Sequence, residues 1–271
     1  MRYRLLDTLR GFSLVSMILF HACWDLVYLY GADWPWYKGT PGYLWQQSIC
    51  WAFILISGFC MGLKKEESSA LRGFRRGLLL LAAGSLVTVA TLLFTPESPI
   101  IFGVLFFLGT AMLLTTVLLP ALRRCSAGVG LLCAALLFFL LRNINEESLG
   151  KESLGFESLV LCKLPAAWYE QGLPATFLGF QDRNFLSADY FSLLPWYFLF
   201  LAGWFLCRCL LQNHATQEDT ATTETGTLSV LPGWFRAGIS PLEFLGKHSL
   251  LVYLLHQPVI LLLLSVLLKQ K

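Results

Sequence analysis

Charge is scarce in this chain. Only 14% of its 271 residues are Asp, Glu, Lys or Arg, where an ordinary soluble domain carries about 25%. With 56% hydrophobic residues and a mean hydropathy of +0.63, that shortage excludes an ordinary soluble domain and indicates a polytopic membrane protein. A net charge of +3 leaves no basic footprint for nucleic acid, so none is expected as a partner. Paired Cys-x-x-Cys units are missing among the eight cysteines, which argues against a metal site or a disulfide framework. Cys23, Cys50, Cys60, Cys133, Cys207 and Cys209 sit in apolar runs, where a thiol acts as a small hydrophobe. No small-residue cleavage site follows the first apolar stretch, so a cleaved signal peptide is not expected. No internal repeat is visible, which lowers the expectation of an inverted-repeat transporter.

What is there is a set of apolar runs of membrane-crossing length. They predict an all-α bundle of about seven spans, one domain over 1–271. The runs lie at about Gly11–Tyr30, Tyr43–Leu63, Gly77–Phe94, Ile100–Pro120, Ala127–Leu141, Phe191–Leu211 and His248–Leu268. Residues 143–190 form the longest non-spanning stretch. Its second half is too broken by Pro, Gly and charge to cross, so a re-entrant or interfacial extracytoplasmic segment is expected. Residues 212–238 are polar and Thr-rich and read as a flexible cytoplasmic loop. Basic residues gather near the N-terminus, in the loop holding Lys64, Lys65, Arg72, Arg75 and Arg76, and at Arg123 and Arg124. A cytoplasmic N-terminus places most of the 20 Lys and Arg on that side. The C-terminus then lies outside and the number of spans is odd. The small-residue face Gly58–Gly62 permits close helix packing or a homodimer.

The first span is the least ordinary. It carries Asp7 and Arg10 at one end and His21 and Asp25 well inside. A charge in hydrocarbon costs roughly 2.5–3.5 kcal/mol even on the gentlest scale, so such residues survive where they face a protein interior or a wet cavity. At about 100° per residue, Arg10 and His21 fall roughly 20° apart around the axis, and Asp7 within about 60° of Arg10. Asp25 is one turn beyond His21. The four make one polar stripe, with Arg10 and His21 about 16 Å apart along it. A long ligand with an anionic head and a reactive far end fits such a stripe. His21 suits a general base, nucleophile or proton relay, with Asp25 orienting it. A structural, hydrogen-bonded histidine is the plainer account. Arg10 at a helix N-terminus suits a phosphate, which Arg75, Arg76 and Arg123 would extend; positive-inside anchoring is its plainer account. Asp7 has the alternative of an N-cap.

Trp24, Asp33, Asp189 and His256 are the expected substrate-binding residues on the far side. Trp24 also fits an interface anchor. Asp189 fits a cap for the span it precedes. His256 in YLLHQP stands two residues before Pro258, which removes a backbone donor beside a polar position. Glu243 and Lys247 read as an i,i+4 surface pair.

Several stretches together resemble a known family. RLLDTLRGFSLVSMILFHACWDL, ISGFCMG, IFGVLFFLG, DYFSLLPWYFLFLAGWF and LEFLGKHSLLVYLLHQPVI are similar to bacterial membrane proteins of the heparan-alpha-glucosaminide N-acetyltransferase catalytic-domain family. Arg10, ten residues and then His21 also resembles the Arg and His motif of the acyltransferases that O-acetylate bacterial surface glycans. The resemblance implies acyl transfer from cytoplasmic acetyl-CoA or another acyl-CoA to a carbohydrate or small-molecule acceptor across a bacterial inner membrane. Phosphates would sit by Arg10 and the basic loops, and the thioester by His21. One departure stands out. The lysosomal member of the family is thought to use a histidine in the loop after this helix, and Gly31–Asp33 has none. Either His21 takes that role, as in the glycan O-acetyltransferases, or the mechanism differs. A proton-coupled transporter with His21 and Asp25 as relay, and a non-catalytic scaffold, are the rival readings.

Overall fold

A computed structural model describes residues 3–63, 66–151, 159–219 and 231–268. Arg2, Lys64, Lys65, Lys269, Lys271 and the polar runs 152–158 and 220–230 lie outside the described residues. The helices are α1 (Arg4–Tyr28), α2 (Pro35–Lys38), α3 (Thr40–Gly62), α4 (Glu66–Phe94), α5 (Val104–Arg124) and α6 (Ala127–Leu140). After them come α7 (Gly172–Leu178), α8 (Trp196–Asp219), α9 (Ser240–Lys247) and α10 (Ser249–Leu268). Among the described residues six helices are long and apolar enough to cross a membrane: α1, α3, the Leu71–Phe94 part of α4, α5, the stretch beginning with α6, and α10. Trp196–Gln212 in α8 is apolar but shorter. The architecture is an all-α, multi-pass membrane bundle.

The described residues of 143–190 hold short turns, α7 and a small antiparallel pair of strands. Its strands are β1 (Ser148–Lys151) and β2 (Leu159–Lys163), with Ser148 opposite Lys163 and a bulge between Leu149 and Gly150. β2 is five residues long, too short to span as a helix and a usual strand length. Of the expected loop 212–238, the start continues α8 and the end packs on α1.

The chain divides into two compact units, Met1–Ile56 with Gly226–Lys271, and Ser57–Thr225. In the first, α1 and α9 cross where each presents a glycine. A Cβ at Gly11 would fall on the Leu242 carbonyl, and one at Gly246 on the Asp7 carbonyl. Backbones can approach this closely only where no side chain intervenes. The N-terminal half of α1 is tied to the same segment by polar contacts. Leu231 N–H donates to Tyr3 Oη at 3.2 Å, and Ile239 N–H to Thr8 Oγ1 at 3.1 Å. Further along, Leu14, Met17 and Ile49 form a core closed by Trp45, Phe53, Val252 and Tyr253.

In the second unit, α4 and α5 meet at Gly84, which faces Phe106, and Gly109, which faces Leu81. Gly130 of α6 receives the Phe205 ring of α8. Gly58 and Gly62 of α3 pack on the Phe200 carbonyl and Cys207 of α8. The small-residue face Gly58–Gly62 thus gives close helix packing within the chain. Arg208 donates to the carbonyls of Leu122 at 3.1 Å, Arg123 at 3.3 Å and Cys125 at 3.2 Å. It thereby closes the C-terminus of α5, whose last carbonyls lack helical partners.

Candidate functional site

The polar stripe of α1 is sorted by its partners. Asp7 is in the first turn, where a carboxylate complements the helix dipole. It is not the N-cap, a position held by Tyr3. Its side chain is buried, and Arg10 Nη1 donates to its Oδ1 at 3.1 Å. The Arg10 side chain is 15% exposed. Among the described residues its other guanidinium donors have no partner, so they remain available to an anion. Arg75, Arg76 and Arg123 belong to the second unit; the first two are exposed and Arg123 is half-buried.

Deeper along α1, His21 and His256 of α10 lie with ring centroids 4.9 Å apart. His256 Nδ1 donates to the Tyr253 carbonyl one turn back. That bond fixes the proton on Nδ1 and leaves Nε2 with a bare lone pair. No hydrogen bond to either His21 nitrogen is found among the described residues. The expected bond from Asp25 to His21 is not formed. Asp25 is fully buried and turns to α10, where Gln257 Nε2 donates to its Oδ1 at 2.8 Å. The core of Leu14 and Met17 meets Val252 and Tyr253, and further along both helices His21 and Asp25 meet His256 and Gln257, so α1 and α10 run in the same direction.

An aromatic layer lies beside this cluster. Tyr37 of α2 is buried and donates from its hydroxyl to the Phe20 carbonyl at 3.0 Å. Burial pushes this phenol above its ordinary range, and the neighbouring Cys23, Tyr28 and Asp25 push the same way. Its ring meets Phe20 at 5.1 Å, and Trp45 anchors to Ser16 at 2.8 Å. Trp24 is half-buried and its ring lies tilted against that of Tyr28, with centroids 5.1 Å apart.

The other expected binding residues lie elsewhere. Asp33 is 83% exposed at its side chain and pairs with Lys38 at 3.3 Å, a surface ion pair of small worth. Asp189 lies in the second unit and does not cap the span it precedes. Its Oδ2 accepts from Val104 N–H at 3.1 Å, the first residue of α5. Glu243, expected at the surface, is buried. Arg4 Nε donates to its Oε1 at 2.7 Å, and Lys247 reaches its Oε2 at 3.6 Å. A surface helix with Glu and Lys four apart looks the same in sequence whether or not another helix covers it. Gln257 and Tyr37 were missed. An amide in the middle of an apolar span was the available signal for Gln257.

The family model for the heparan-alpha-glucosaminide N-acetyltransferase catalytic domain matches residues 2–258. The chain belongs to that family. The matched stretch contains both the α1 stripe and the His256–Gln257 pair. This member of the N-acetyltransferase family is a membrane-embedded acyltransferase that uses an acyl-CoA donor. No curated protein and no solved structure matches it.

Proposed function

We propose that the chain carries an acyl group from cytoplasmic acyl-CoA to an amine or hydroxyl of a carbohydrate at the far face of a bacterial inner membrane, with His21 as general base. The observation that carries this reading is the His21 ring itself. It is held inside a span beside His256, with both nitrogens left unbonded by described residues. A purely structural histidine at that depth would be expected to satisfy its polar atoms within the protein.

In this mechanism the acceptor nitrogen or oxygen attacks the thioester carbonyl carbon. Its proton passes to His21, the new C–N or C–O bond forms, and the C–S bond breaks. The proton on His21 then goes to the departing thiolate, which returns the imidazole to its starting form. Burial keeps water from the thioester. Arg10 receives the anionic nucleotide end of the donor.

A cytoplasmic N-terminus and seven crossings complete the proposal. The parallel course of α1 and α10 supports an odd number of crossings, and Trp196–Gln212 would supply the seventh. Calorimetry with acetyl-CoA on detergent-purified protein tests the donor side. Arg10→Ala is expected to weaken binding by about tenfold or more. His21→Ala is expected to lower acetyl transfer by about 10²–10⁴-fold while thermal unfolding barely moves. Absence of acetyl-CoA binding by the folded wild-type protein would sink the reading.

A further inference from the structure

Two buried acceptor atoms between α1 and α10 have no partner among the described residues. They are Asp25 Oδ2 and Gln257 Oε1. Both belong to side chains already joined by the 2.8 Å bond from Gln257 Nε2 to Asp25 Oδ1. Asp25 is fully buried, so bulk water does not satisfy it. An unmade hydrogen bond at such a place costs the full desolvation of the group, and two at one residue pair ask for a common explanation.

We propose that Asp25 and Gln257 together receive the N–H or O–H donors of the acyl acceptor, which makes Gln257 a substrate-binding residue. The inference rests on the acyl-transfer reading and deepens it. The chemistry of the pair separates the two substrates. The acyl end of a thioester offers a carbonyl oxygen and a sulfur, neither of which donates. An amine or a sugar hydroxyl donates, and an amine has more than one N–H to give. Two unpaired acceptors therefore favour the acceptor substrate and disfavour the acyl end of the donor.

Position agrees with chemistry. His21 is one turn before Asp25 on the same face of α1, and His256 directly precedes Gln257. A nitrogen or oxygen held by the pair is delivered next to the two imidazoles, where its proton can be taken. Asp25 thus binds the acceptor directly, while its bond from Gln257 Nε2 sets the direction of the free oxygen.

The test uses the full chain in detergent. Its probes are acetyl-CoA, methyl α-D-glucosaminide for the amine and methyl α-D-glucoside for the hydroxyl, each titrated by calorimetry. Gln257→Met keeps the length of the side chain and removes its polar atoms. It is expected to weaken binding of the sugar probe by about tenfold or more, with acetyl-CoA affinity within about twofold of wild type. Asp25→Asn keeps the shape and turns one acceptor into a donor. It also removes the buried carboxylate charge. This variant is expected to melt higher than wild type and to bind the sugar probe about tenfold more weakly or worse. A merely structural pair would not separate sugar affinity from stability in this way. Retention of sugar affinity by folded Asp25→Asn overturns the inference, whether or not Gln257→Met folds. So does a wild-type protein that binds acetyl-CoA and neither sugar. Failure to bind acetyl-CoA itself would instead overturn the acyl-transfer reading.

Discussion

At the scale of single residues, Glu243 shows how a buried carboxylate sets an asymmetry between its partners. Its side chain is 6% exposed, whereas that of Arg4 is 49% exposed. Removing Arg4 strands a buried charge with only Lys247, 3.6 Å away. Neutralising Glu243 leaves Arg4 to water. Arg4→Ala is therefore expected to cost about 2 kcal/mol and Glu243→Gln about 1 kcal/mol, after discounting for the half-exposed arginine. Thermal unfolding of both variants in one detergent checks the order; equal melts would show that the carboxylate finds another donor. The same logic explains why Asp7 and Arg10 stay together. A partly buried guanidinium keeps one carboxylate oxygen and still has donors to offer.

At the scale of elements, the crossing of α1 and α9 depends on two glycines that no apolar pattern would single out. Gly246→Val places methyl groups on the Asp7 carbonyl. An overpacked contact of this kind is expected to destabilise by about 1–3 kcal/mol. Gly128 in α6 meets nothing within 4 Å, so Gly128→Ala is expected to change stability by less than about 1 kcal/mol, in the stabilising direction. The two melting shifts measured side by side separate glycine as a contact from glycine as a flexible residue. An equal loss in both would deny the crossing its role. Arg208 belongs to the same scale: its fork reaches three carbonyls at the end of α5, and its guanidinium lies 5.0 Å from the Trp204 ring. A lysine there would lose the planar fork.

At the scale of the whole molecule, the non-spanning stretch 143–190 is held by tyrosines whose hydroxyls are used. Tyr169 is buried and donates to the Ile144 carbonyl. Burial, reinforced by the Glu147 carboxylate, pushes its phenol up to about 12. Burial raises Tyr190 as well. The folded value for Tyr169 lies above the unfolded one of about 10. Its contribution to stability is therefore full below pH 10 and is lost as pH rises from about 10 through about 12. The denaturation midpoint is expected to fall across that window, and less steeply in Tyr169→Phe. Identical slopes in the two proteins would contradict the assignment. Arg183 lies in the same stretch, raised above its ordinary value by its hydrogen bonds to Glu147.

Much of this protein was legible from sequence. Low charge and long apolar runs dictate membrane crossing, because the backbone must satisfy itself inside lipid as helix. The stripe of Asp7, Arg10, His21 and Asp25 was readable because helical geometry alone places it, and the family resemblance carried the acyl-CoA chemistry. Other features depended on which helices meet. Periodicity describes one helix at a time, so it cannot tell that Asp25 turns to Gln257 while His21 faces His256. Nor can it tell that Asp189 caps α5, or that Glu243 lies under α1. Those outcomes join residues distant in sequence, and only tertiary packing brings their atoms within hydrogen-bond reach. The sequence alone determined a helical membrane acyltransferase with polar groups along its first span. The tertiary structure decided their partners, because each buried polar atom takes the donor or acceptor that the neighbouring helix provides.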